Sequence, residues 1–186
     1  MIGFVMLDII TQAIDRFYTK KDYETFSAYC AIPLNLPEEL QEYFKLHGLN
    51  FSSETDDKDY PSRRWYISFA GYKKGEFEVS YDTYFRISKV APLFYIQHEF
   101  EVRNKGNNIM SPDLDGFSDQ PYTKDQATLH NEISTAMSKR GYLELKEIDI
   151  DEAIEGCKMP DGVTIFGHTV TVELLLFVDV LNICHE

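Results

Sequence analysis

An α+β fold is what this sequence predicts: an antiparallel β-meander of at least three strands over residues 63–103, with helices packed on its apolar face. Two observations point to it. Phe77, Val79, Tyr81, Thr83, Phe85 and Ile87 alternate with Glu78, Ser80, Asp82, Tyr84 and Arg86, and successive side chains of a strand leave opposite faces. Before and after this region, apolar residues recur at the helical spacing of three and four. Such a sheet is expected to need cover on its apolar side only, and the flanking helices supply it. The chain of 186 residues is read as one domain: a helical N-terminal part (1–50), the sheet (63–103), a long loop (104–122) and a helical C-terminal part (123–186).

In the N-terminal part, Met6, Ile10, Ala13, Ile14 and Phe17 share a face, predicting a helix over 5–18. Thr19 is placed as the cap of a second helix over 20–30, with Tyr23, Phe26 and Cys30 inward. Pro33 stops it, Pro37 opens a third, and Gly48 ends that one, whose stripe is Leu40, Tyr43, Phe44 and His47. Residues 52–62 are polar, acidic and turn-rich, and read as an exposed loop.

The first strand, Arg63 to Ala70, turns Trp65, Ile67 and Phe69 inward and Arg64, Tyr66 and Ser68 outward. A Gly71–Gly75 loop and a Lys89–Pro92 turn separate the strands. The third strand turns Phe94, Ile96, His98, Phe100 and Val102 inward, and Tyr95, Gln97, Glu99, Glu101 and Arg103 outward. A slip of one residue would put the apolar face into water, so matched faces set the register. A four-residue second turn pairs Ile87 with Phe94, Phe85 with Ile96, Thr83 with His98, Asp82 with Glu99, Ser80 with Glu101 and Glu78 with Arg103. Matching the first hairpin likewise sets Arg64 opposite Asp82.

Residues 104–122 are rich in Gly, Pro, Asn and Asp and read as a long loop, of a kind that is often functional or mobile. Thr123 and Gln126 form a capping box for a helix that Gly141 ends, with Leu129, Ile133, Ala136 and Met137 inward. A short amphipathic segment follows around 145–154, and Val163–Phe166 is a candidate strand. The apolar stretch Val170–Cys184 reads as a buried helix, although the alternation from Thr169 to Leu174 also suits a strand.

Composition narrows the function. Lys and Arg total 18 against 31 Asp and Glu, a net charge of -13. That charge disfavours polyanions, so nucleic acid and anionic membrane are not expected partners, and a basic protein is. The N-terminal residues lack the basic start of a signal peptide, and the longest apolar run, Leu174–Val178, is far short of a membrane span. The cysteines, Cys30, Cys157 and Cys184, form no CxxC pair and read as free thiols, so the expected location is cytoplasmic.

His98-Glu99-Phe100-Glu101 resembles an acid–base or metal cluster, but strand parity splits it between two faces. His98 is therefore read as a core residue bonded to Thr83. Asp113, Asp115 and Asp119 lack the glutamate and glycine positions of a calcium loop. There is no nucleophile elbow and no phosphate-binding glycine motif. His168 and His185 are too far apart for a helical metal pair, and His130 is placed on the exposed or flanking side of its helix.

What stands out is the outward sheet face. Arg64, Tyr66, Asp82, Tyr84, Arg86, Tyr95, Glu99 and Glu101 form the candidate binding set, with no catalytic, metal or cofactor residue assigned. Tyrosine and arginine among carboxylates describe a protein-binding surface. The leading expectation is a non-catalytic interaction module, such as an acidic immunity or antitoxin-like protein neutralising a basic partner. One alternative is a divalent-cation-dependent hydrolase or ligand-binding domain using Asp82, Glu99 and Glu101, whose opposed carboxylates suit a hard cation. The other is a homo-oligomeric structural protein.

Overall fold

A computed structural model describes residues 3–53, 60–106, 114–157 and 169–180. In chain order the elements are α1 (Phe4–Ile14), prolonged by a π-helical turn (Asp15–Thr19), α2 (Tyr23–Cys30), α3 (Glu38–Leu46) and β1 (Asn50–Ser53). Then come β2 (Ser62–Ser68), β3 (Tyr72–Lys74), β4 (Phe77–Ser88), β5 (Leu93–Asn104) and β6 (Leu114–Ser118). The last described elements are α4 (Lys124–Ser138), β7 (Leu143–Leu145), α5 (Glu147–Ile150) and α6 (Val172–Phe177). The fold is α+β. Its sheet runs β1-β2-β4-β5-β6, with β3 on β4 and β7 on β5, and among the described residues only the β5–β7 pair is parallel.

The β4–β5 hairpin has the expected register throughout: Ile87 faces Phe94, Thr83 faces His98 and Asp82 faces Glu99. The first hairpin does not. Arg64 pairs with Arg86, and it is Ser68 that faces Asp82. The expected Gly71–Gly75 loop contains β3, whose Lys74 pairs with Phe77. The chain therefore turns over two residues, and Gly75 takes φ 61°, a region that glycine enters without strain. One extra residue lies between Ser68–Asp82 and Tyr72–Val79, a bulge on the β2–β3 side. Gly71 sits in it, where a Cβ would lie 2.7 Å from the Val79 carbonyl oxygen.

The inner face carries the expected core. Trp65, Ile67, Phe85, Ile87, Phe94 and Ile96 meet Leu40 and Phe44 of α3 and Leu129, Ile133, Ala136 and Met137 of α4. Trp65 stacks on Phe85, with ring centroids 5.4 Å apart. The α4 capping box forms as read, Gln126 N bonding to Thr123 Oγ1 at 3.1 Å. At α2, Asp22 and not Thr19 is the cap, because the π-helical turn consumes Thr19.

Cover on one side only is the expectation that fails. A second core lies on the other face, where Leu93, Tyr95 and Leu145 pack with α1, α2 and α6. Helix α6 spans only Val172–Phe177, shorter than the helix read over Val170–Cys184. Thr171 bridges Ala153 just before it. Hydroxyls dock its C-terminal carbonyls: Tyr18 to Leu175 O, Ser88 to Leu176 O and Ser62 to Phe177 O, at 2.5, 2.9 and 2.7 Å. Helix ends leave carbonyls without intrahelical partners, and these side chains supply them.

Two stretches read as loops contain strands. β1 pairs Asn50–Ser53 with β2, and β6 pairs Leu114–Ser118 with β5. Their sequences, Asn- and Ser-rich in β1 and glycine-bearing in β6, have little strand preference of their own, so pairing with a formed neighbour decides them. The candidate strand Val163–Phe166 lies outside the described residues, as do Asp113, His168, Cys184 and His185. Cys30 and Cys157 are free.

Candidate binding site on the outer sheet face

The outer face divides into a covered half and an open half. At the β2–β4 end α6 lies over the strands, and this removes two residues from the expected surface. Tyr95 is 1% exposed, and Arg86 is 6% exposed. Arg86 donates from Nη1 to Glu173 Oε1. Its guanidinium lies over the Tyr95 ring at 5.0 Å and the Phe177 ring at 5.7 Å. Both side chains point to the expected face. The helix placed on it was not readable from strand alternation.

The remaining residues of the set stay accessible and line two grooves that share Tyr84 and Glu99. One, of about 340 Å³, is bordered by Arg64, Tyr84, Arg86, Gln97, Glu99 and Glu173. The other, about 280 Å³, includes Tyr66, Asp82, Glu99, Glu101, Asp115 and Phe117. Tyr66 and Tyr84, register partners, meet edge to face at 4.8 Å. Burial first, then a hydrogen bond to the Asp82 carboxylate, pushes the Tyr66 phenol well above its ordinary value. It therefore stays a hydrogen-bond donor beside Asp82. Gln97 Nε2 donates to Glu99 at 2.8 Å, and Arg103 Nε donates to Glu101 at 2.5 Å. Among the described residues no three His, Cys, Asp or Glu side chains converge to hold a metal ion.

Strand β6 frames this groove and leads to another. Asp115, Gly116 and Phe117 line the first, and Asp119 lines a cavity of about 970 Å³ with Leu7, Glu147, Ile148, Asp149, Asp151 and Glu152. Leu114, Phe117 and Ile148 are 62%, 65% and 70% exposed. Gly116 is required opposite Phe100, since a Cβ would meet that ring at 2.5 Å.

The opposite face holds a polar chain inside the core. Thr83 Oγ1 bonds His98 Nδ1 at 2.9 Å, His98 Nε2 bonds His130 Nδ1 at 2.9 Å, and His130 Nε2 reaches Glu144 Oε1 at 3.0 Å. Ser134 and Lys146 also bond Glu144. The His130–Glu144 contact sets one consistent order: with Nε2–H of His130 donating to the ionised Glu144 and its Nδ1 accepting, His98 donates to His130 and Thr83 to His98. Burial, then the neighbouring His130, lowers His98 to about 4. Burial alone would raise Glu144, but bonds from His130, Lys146 and Ser134 outweigh it and bring the carboxyl down to about 2. The Thr83–His98 bond matches the expectation from parity, whereas the placement of His130 on a flanking side missed its part in the chain. Its spacing with Gln126, Ile133 and Met137 is that of the inward stripe of α4.

Gln126 links the two faces. It is fully buried, accepts from Tyr122 N and Thr123 N, and donates from Nε2 to the carbonyls of Asp82 (2.9 Å) and Glu99 (3.1 Å). The backbone beneath the opposed Asp82 and Glu99 is thereby pinned from the core side. No protein-family model, curated protein sequence or solved structure matches this chain.

Proposed function

We propose that the protein is a non-catalytic interaction module that captures a basic protein partner along β6. The observation supporting this reading is the surroundings of that strand. Exposed Phe117, on the outer face of that strand, stands between two carboxylate-lined grooves, one with Asp82, Glu99, Glu101 and Asp115, the other with Asp119, Glu147, Asp151 and Glu152. Apolar anchors supply binding energy once desolvated, and the surrounding carboxylates steer a cationic surface and reject anionic ones. Tyr66 and Tyr84 add ring faces suited to an arginine or lysine side chain. Neutralisation of a basic enzyme, as by an immunity or antitoxin-like protein, is the concrete form of this reading.

The test is equilibrium binding to a panel of purified basic proteins across a salt series, with Phe117→Ser and Glu101→Gln as variants. Capture that weakens with salt and is lost in Phe117→Ser supports the reading. If no panel member binds in a salt-dependent way, or if both variants bind unchanged, it is wrong. Sedimentation of the free chain separates capture of a partner from self-association.

A further inference from the structure

The covered end of the outer face contains an arrangement that partner capture does not use. Arg64 and Arg86 are direct register partners on adjacent strands, with both side chains bordering the same groove of about 340 Å³. Glu173 meets Arg86 only through Nη1. Arg86 is 6% exposed, and its Nε, fully buried, has no hydrogen-bond partner among the described residues. A buried donor of a charged group without an acceptor is costly, and native structures rarely keep one. The Tyr95 and Phe177 rings flank the guanidinium and restrain it from turning to water. The edge made by Nε and Nη2 is the one whose parallel N–H bonds match a carboxylate in bidentate fashion.

The rest of the lining says which carboxylate. Arg64 and Arg86 contribute two positive charges, Glu99 and Glu173 two negative ones, and Tyr84 and Gln97 complete the set without an aliphatic residue. A bare polyanion such as phosphate would face both glutamates. A molecule with a carboxylate at one end and an ammonium at the other meets both signs of charge. Gln97 holds the Glu99 carboxylate in place at 2.8 Å.

We propose that this pocket binds a small zwitterion of free amino-acid type, its carboxylate on the Arg64–Arg86 pair and its ammonium group on Glu99. The volume suits one such molecule and not a folded partner. The site shares Tyr84 and Glu99 with the groove beside β6 but not Phe117, Glu101 or Asp115, so substitutions at those positions separate the two readings.

The experiment is calorimetric titration of the full chain with L-alanine, L-glutamine and L-arginine, alongside acetate, methylammonium and inorganic phosphate. Arg64→Gln is the variant of choice: Arg64 is partly exposed on a strand face, so its removal spares the core. The expected result is that at least one amino acid binds about tenfold or more tightly than acetate, methylammonium or phosphate, and that Arg64→Gln weakens it about tenfold or more. Phe117→Ser, which lies outside this pocket, keeps the wild-type amino-acid affinity, so a failure of this proposal is told from a failure of partner capture. Absence of amino-acid binding, binding of phosphate or acetate as tight as that of the amino acids, or an unchanged Arg64→Gln affinity overturns the proposal.

Discussion

The two faces of the central sheet are made from the same strands and hold their helices by different means. On the inner face α3 and α4 rest on Trp65, Phe85, Phe94 and Ile96, aromatic and branched side chains whose burial drives association. On the outer face α6 sits over polar positions, held by hydroxyls of Ser62 and Ser88 and by the Arg86–Glu173 pair, as well as by apolar packing. The inner face also buries a hydrogen-bonded chain, Thr83–His98–His130–Glu144. Apolar burial is non-directional and tolerates small shifts, whereas hydroxyl-to-carbonyl bonds specify where a helix end lies. Specificity of position on one face is thus combined with gross stability from the other.

Substitutions that break this contrast should differ in size. Phe85→Ala, which empties the middle of the inner core, is expected to destabilise by about 4 kcal/mol in chemical denaturation. A much smaller loss would mean that this core is not close-packed.

Acid should strike the inner face next. The folded His98 pKa of about 4 lies below its ordinary 6.5, so the unfolded chain binds this proton more readily. Stability from His98 is complete above pH 6.5 and declines as pH falls toward 4, by about 3 kcal/mol in all. Asp119, Glu144, Lys146 and His130 set its surroundings. Glu144, lowered from 4.5 to about 2, adds a second decline that begins below pH 4.5. Denaturation across pH on wild type and His98→Gln checks this, and the variant should lose the first window. An identical pH profile in the variant would remove His98 from the account.

On the outer face the expected effects are smaller. Glu173→Gln leaves the Arg86 charge without its carboxylate, at a cost of about 2 kcal/mol, reduced from that of a fully buried pair because Glu173 is 31% exposed. Ser88→Ala removes one bond to α6 and should cost about 1 kcal/mol. Amide exchange of the α6 residues should rise in both variants while α4 stays protected. Equal exchange in the two helices would erase the contrast between the faces.

Much of this was legible in the chain because alternation and capping are local. The β4–β5 register followed from matching two long apolar faces, and Thr123 with Gln126 marked the start of α4 from a few adjacent residues. The first hairpin was misread because Gly71, which accommodates a bulge, looks the same in sequence as a glycine in a loop. β6 escaped notice because Gly116 and its acidic neighbours read as turn residues until Phe100 lies opposite. Of the candidate surface, Arg64, Tyr66, Asp82, Tyr84, Glu99 and Glu101 remain accessible in the grooves, Arg86 borders one of them while largely buried, and Tyr95 lies in the second core.

By itself the sequence determined which side chains share a face, since strand parity is built into backbone geometry. It set the acidic charge, the inward orientation of His98 and the outward orientation of Arg86. Only the tertiary structure decided what each face meets: α4 carrying His130 to His98, β7 carrying Glu144 to His130, and α6 covering Arg86. These contacts join residues far apart in the chain. Their energies depend on where whole elements come to rest, a quantity that no local period encodes.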